Sequence, residues 1–112
     1  MIAGIGEDFN CSIVRKVSMQ TIERKYPNDI KNIQENILKN AQKCIFYHTV
    51  YFTYPHRYDK ESMENIDKDE NLEIKNKIND LSNYFRCLGF NIEPVEVLDK
   101  EEGLMDGFKI IW

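Results

Sequence analysis

The period of apolar and polar positions changes several times along this 112-residue chain, and each change marks an element. From Ile30 onward, Ile30, Ile33, Ile37, Leu38 and Ala41 fall on one helical face, with Lys31, Glu35, Lys39 and Gln42 on the other. That spacing predicts a helix over residues 28–43. The run Cys44 to Tyr54 is rich in aromatic and β-branched residues and alternates, which predicts a strand. Phe46, His48, Val50, Phe52 and Tyr54 form its more apolar row, expected to face the helices. Tyr47, Thr49, Tyr51 and Thr53 form the amphipathic row. Pro55 ends the strand, and residues 55–68 read as a polar loop. Asp67-x-x-Glu70 resembles a capping box ahead of a second amphipathic helix over 70–88, with Leu72, Ile74, Ile78, Leu81, Phe85 and Leu88 inward. Gly89 suits the left-handed position that closes it. A hairpin follows: one arm over 90–98, an acidic loop from Asp99 to Gly107 with two glycines, and a second arm over 108–112.

The start of the chain is less patterned. Residues 1–17 read as an N-terminal arm or short strand, with Ser12 to Val17 as the strand segment. Ser18 is a candidate N-cap for a helix through Lys25. Pro27 either kinks that helix or opens a new one from its first turn. A single domain then spans residues 18–112.

The order helix, strand, helix, strand, strand places the strands of 45–54 and 90–98 parallel across a crossover. The last strand must run antiparallel to its hairpin partner. The expected fold is therefore α+β: two amphipathic helices on one face of a three-stranded sheet, in split βαβ order with the C-terminal strand central. Pro94 supports this, because proline cannot donate to a ladder and belongs on an edge strand. Phe108 to Trp112 lacks proline, carries one charge and is apolar on both faces, as a central strand should be. Tyr47, Tyr51, Ile111 and Lys109 would then lie on the uncovered face. That predicts a contact surface, covered either by residues 1–17 or by a second copy, of which a homo-oligomer is the expectation.

Composition narrows the class. At 42% hydrophobic and 30% charged, the chain fits one folded domain. No apolar run approaches the roughly 18 residues of a membrane span, and no basic segment precedes an apolar one at the start. Cys11, Cys44 and Cys87 are odd in number and widely spaced. This argues against a disulfide framework and for a cytoplasmic setting, with the three thiols expected as small buried hydrophobes. The net charge of −4 disfavours general nucleic-acid binding. Charge is uneven, however. Arg15, Lys16, Arg24, Lys25, Lys31, Lys39, Lys43 and Arg57 lie in the first half, and acids dominate from Asp59 onward. Such asymmetry suits head-to-tail association or one localised anion site.

An amphipathic helix ending Leu88-Gly89-Phe90, a short hairpin and a terminal Ile110-Ile111-Trp112 together resemble the small accessory proteins of bacteriophages. The likeness covers about half the chain and brings no catalytic residues across. It implies a binding protein acting in the host cytoplasm, such as an inhibitor of host defence that sequesters a nucleotide signal or blocks a host protein.

The candidate chemistry lies just past the long strand, in Tyr54, His56, Arg57 and Tyr58. An arginine fork grips phosphate, tyrosines stack on rings, and a histidine donates to an anion. Arg15 and Arg24 extend this candidate anion site. His48, on the apolar row, reads as a core histidine. There is no glycine-rich phosphate loop, nucleophile elbow or histidine-rich metal pattern, so no cofactor or metal is expected. Three readings result. The first is capture of a small anionic, nucleotide-like ligand at Tyr54, His56, Arg57 and Tyr58. The second is a protein–protein inhibitor or adaptor that binds one host protein through Tyr47, Thr49, Tyr51 and Thr53 and the acidic loop 99–106. The third is a small hydrolase with His56 as acid or base.

Overall fold

The computed structural model describes residues 10–55, 69–99 and 103–112. Its elements in chain order are α1 (Cys11–Lys25), α2 (Pro27–Gln42), β1 (Tyr47–Thr53), α3 (Asp69–Cys87), β2 (Asn91–Asp99) and β3 (Gly103–Ile111). The strand order is β1-β3-β2, with β3 antiparallel to both neighbours, so β1 and β2 run parallel. The fold is α+β with the C-terminal strand central, and Pro94 lies on an edge strand, as expected.

Paired residues share a sheet face, so the register fixes what each face carries. Val50 pairs Phe108, and His48 pairs Ile110. Ile92 pairs Ile110, and Pro94 pairs Phe108. This row meets the helices. Phe108, Ile110, Phe85 and Leu81 are at most 1% exposed, and Ile30, Ile33, Ile37 and Tyr84 complete the core. Val50, Phe52, Ile78, Ile92, Phe90 and Trp112 pack around it. Each large side chain fully buried here contributes on the order of 1.5–3 kcal/mol. The helix-facing row of β1 therefore follows its alternation, except that Phe46, just before the strand, remains 64% exposed.

The helices differ from expectation mainly at their ends. The first begins at Cys11, not after Ser18, because the Asn10 side chain accepts the Ile13 N–H at 3.2 Å and caps it there. Residues 11–17 are thus helical rather than a strand, while residues 1–9 of the expected arm lie outside the described residues. Pro27 opens α2 at its first turn, where its missing N–H costs nothing. The α2 stripe buries Ile30, Ile33 and Ile37 but leaves Leu38 and Ala41 exposed. In α3, Leu81 and Phe85 are inward as expected. Leu72 and Leu88, near the two helix ends, are 39% and 47% exposed. Asp67 of the expected capping box and the 56–68 part of the expected loop lie outside the described residues.

The end of α3 closes as a Schellman turn. Phe90 N–H donates to Phe85 O at 3.2 Å, Gly89 N–H donates to Arg86 O at 3.1 Å, and Gly89 takes φ of 99°. The Phe85 and Phe90 rings meet edge-on at 6.1 Å, the apolar contact that accompanies this motif. Lys77 ties the layers together. Its ammonium meets Asp29 at 2.9 Å and lies 5.3 Å from the centre of the Phe52 ring and 5.8 Å from that of Tyr26.

The hairpin departs most from expectation. The segment read as an acidic loop from Asp99 to Gly107 is largely strand, because β3 starts at Gly103 and Asp99 still pairs with it. Gly107 is not a turn residue. A Cβ there would lie 1.8 Å from Val50 O and 3.0 Å from Tyr51 Cα, so only glycine allows the two backbones to approach this closely. Gly89, by contrast, has nothing within 4 Å of such a Cβ and needs glycine only for its φ. Gly107→Ala should therefore cost about 3 kcal/mol, an overpacking penalty against backbone. Gly89→Ala should cost about 1 kcal/mol of conformational strain. Urea unfolding of the two variants measures this, and a larger loss for Gly89→Ala would contradict the assignment.

Candidate protein-binding face

The period of two that sends Val50 and Phe52 to the helices sends their neighbours the other way. Tyr47, Thr49, Tyr51 and Thr53 share this second face with Met105, Lys109 and Ile111 of β3 and with Asn91, Glu93, Val95 and Val97 of β2. Every sheet residue that packs with the core belongs to the opposite row. Tyr47 and Tyr51 are each 48% exposed, and Val95, Val97, Met105 and Ile111 are half-buried. The Lys109 ammonium lies 4.5 Å from the centre of the Tyr47 ring, and Glu93 pairs opposite Lys109 in the β2–β3 register. The face is thus apolar and aromatic at its middle, with hydroxyls along β1 and the opposed charges of Glu93 and Lys109. Asn40 anchors the start of β1 by donating to Tyr47 O at 2.8 Å.

The expected ligand cluster is divided. The Tyr54 side chain turns into the protein, is 4% exposed and donates its hydroxyl to Asp106. A ring so placed cannot stack on a ligand, which corrects the role expected of it. His56, Arg57 and Tyr58 lie outside the described residues. Tyr54 borders a groove of about 420 Å³ between α3 and β2, with Lys75, Ile78, Pro94, Glu96 and Asp106 in its lining. Two carboxylates against one ammonium make that groove a poor anion site. Arg15 and Arg24 are exposed on α1. Arg15 lines a separate groove that shares no residue with the first.

Cys11, Cys44 and Cys87 are all exposed free thiols, which overturns the expectation that they fill the core. Among the described residues, no three His, Cys, Asp or Glu side chains are grouped to hold a metal ion, and no helix is long and apolar enough to cross a membrane. No family model, curated protein or solved structure matches the chain, so the face is read from its own geometry.

His48 is half-buried on the helix-facing row beside Ile110, and burial pushes its pKa below the ordinary value near 6.5. Such a histidine binds fewer protons folded than unfolded. Its neutral form is accommodated in full above pH 6.5, and stability falls as pH drops from there through the lowered folded value. The urea midpoint should therefore decrease from pH 7 toward pH 5, and His48→Gln should flatten that part of the profile. An equal slope in wild type and variant would contradict this.

Proposed function

We propose that this chain is a non-catalytic protein-binding module whose uncovered sheet face is the docking surface. The observation that carries the reading is the presence of two half-exposed tyrosines on one face of a sheet whose described helices lie on the other. Tyrosine buries a large apolar area with few rotamers to freeze and keeps a hydroxyl for hydrogen bonding, so it dominates protein interfaces. Thr49 and Thr53 between the tyrosines supply short polar groups on a flat surface. In the setting implied by the resemblance to phage accessory proteins, the occupant is a host protein, and binding blocks or recruits it.

A second occupant is favoured by one further observation. Glu93 and Lys109 sit side by side on the same face, so a two-fold copy could set each against its opposite charge. Self-complementarity of this kind is what a symmetric dimer requires.

Of the residues expected to capture an anion, Tyr54, Arg15 and Arg24 are described; Tyr54 is buried beside one groove, and Arg15 lines another. Support for the sheet face is the stronger of the two.

Sedimentation velocity over a wide concentration range tests the two occupants. A dimer that forms with concentration and is weakened about 30-fold by Tyr51→Lys supports the symmetric form. A monomer that, carrying a photo-reactive residue in place of Tyr51, crosslinks to one host protein supports the adaptor, provided Tyr47→Lys abolishes the crosslink. A monomer with no crosslink above that of a Lys39-labelled control would reject the proposal.

A further inference from the structure

The first helix is held by only part of its surface. α1 packs against α3 and α2, yet none of its fifteen residues is buried. Isolated helices of this length are marginal in water, so tertiary contact must supply its stability. The contact is concentrated in its second half. Met19 and Ile22 reach the core cluster, as does Tyr26 just beyond the helix. There the Tyr84 hydroxyl donates to Glu23 at 2.9 Å, and the Tyr26 hydroxyl donates to Asp80 at 3.1 Å. Burial, reinforced by Glu23, pushes the Tyr84 pKa up to about 12, so this hydroxyl remains a donor throughout the neutral range.

The first half of α1 is different. Val14 and Val17 are 46% and 54% exposed. They line a groove of about 680 Å³ between α1 and α3, together with Ile22 on the α1 side and Cys11 and Cys87 on opposite helices. Charge around this groove is one-sided. Its lining carries Arg15 and Lys25 against Asp80, and Arg24 follows on α1 beside this lining, in a chain whose net charge is −4. The nearby acids are already engaged: Glu23 accepts from Tyr84, while Asp80 accepts from Tyr26 and meets Lys25 at 3.6 Å. Among the described residues, Arg15, Lys16 and Arg24 form no ion pair.

From this we infer that the α1–α3 groove is a second docking site, distinct from the sheet face, for an acidic amphipathic helix of a partner protein. The apolar lining of Val14, Val17 and Ile22 between two helices suits the ridge of a third helix. The Arg15 guanidinium in the lining, and Arg24 beside it on α1, are in no ion pair among the described residues and suit carboxylates along the flanks of that helix. A second copy of α1 would bring like charges together. Nucleic acid would want stacking rings, and the groove lining contains none. A membrane surface would want the apolar residues on a convex face, and here they line a concavity.

The natural thiols report occupancy. Cys11 and Cys87 line the groove, while Cys44 is exposed elsewhere and serves as an internal control. The probe is a designed helical peptide with leucines at i, i+3, i+4 and i+7 and glutamates on its flanks. Its counterpart carries lysines in place of the glutamates. The acidic peptide should slow thiol modification of Cys11 and Cys87 by at least about fivefold, leave Cys44 unaffected, and lose effect with added salt. The double variant Arg15→Glu/Arg24→Glu should abolish protection while its circular dichroism and melting remain those of the wild type. Tyr51→Lys should leave protection intact, so failure here is separable from failure at the sheet face. Equal protection by both peptides, protection of Cys44 as well, or none by the acidic peptide would overturn the inference. So would protection by anionic vesicles or duplex DNA in its place.

Discussion

A central strand must satisfy two neighbours and two faces at once, and β3 sets the terms for everything around it. Its backbone pairs along its whole length with β2 and over seven residues with β1. Phe108 and Ile110 point to one side and are sealed by Phe85 and Leu81 from α3 and by the isoleucine stripe of α2. Just before Phe108, Gly107 lets the carbonyl of Val50 come close enough to exclude any side chain. The sheet thus depends on a short segment that is both its hydrophobic centre and its point of closest backbone approach.

Placing the core on one side decides the character of the other. Strand periodicity leaves no freedom: once Val50 and Phe52 face α2 and α3, Tyr47 and Tyr51 must face away. The residues on that side are two tyrosines, two threonines, aliphatic neighbours, Asn91, and Glu93 opposite a lysine that rests over an aromatic ring. The helical layer shows a similar asymmetry at its margin, where α1 is anchored near Tyr26 and Tyr84 but presents Val14 and Val17 along a groove that Arg15 also lines. Two surfaces of different chemistry thus occupy separate parts of a small domain.

Much of this organisation is legible in the residues. The two rows of β1, the edge position implied by Pro94, the central last strand and the Gly89 cap all follow from period and from proline and glycine stereochemistry. The failures have physical reasons. α1 buries no residue, so the periodicity that reveals α2 is absent from it, and only the Asn10 cap marks its true start. Glycine within an acidic stretch reads as a turn, yet at Gly107 it answers to a neighbouring strand distant in sequence. Tyr54 reads as a ligand platform because a tyrosine beside a proline turn has the right chemistry. Its burial depends on Asp106, which no local pattern connects to it. The cysteines read as core residues by composition, whereas all three lie on the surface. The sheet face was visible from alternation alone, but the α1–α3 groove was not, since it takes two helices far apart in sequence to form it.

The central claim is that the tyrosine row of β1 lies open in the isolated protein, and hydroxyl-radical footprinting read residue by residue tests it most directly. In dilute purified chain, Tyr47 and Tyr51 should oxidise rapidly, while Tyr54 and Tyr84, each 4% exposed, should be strongly protected. If the rings on β1 proved as shielded as Tyr84 under conditions where the chain is a monomer, that side would already be occupied by its own residues, and the account would fail.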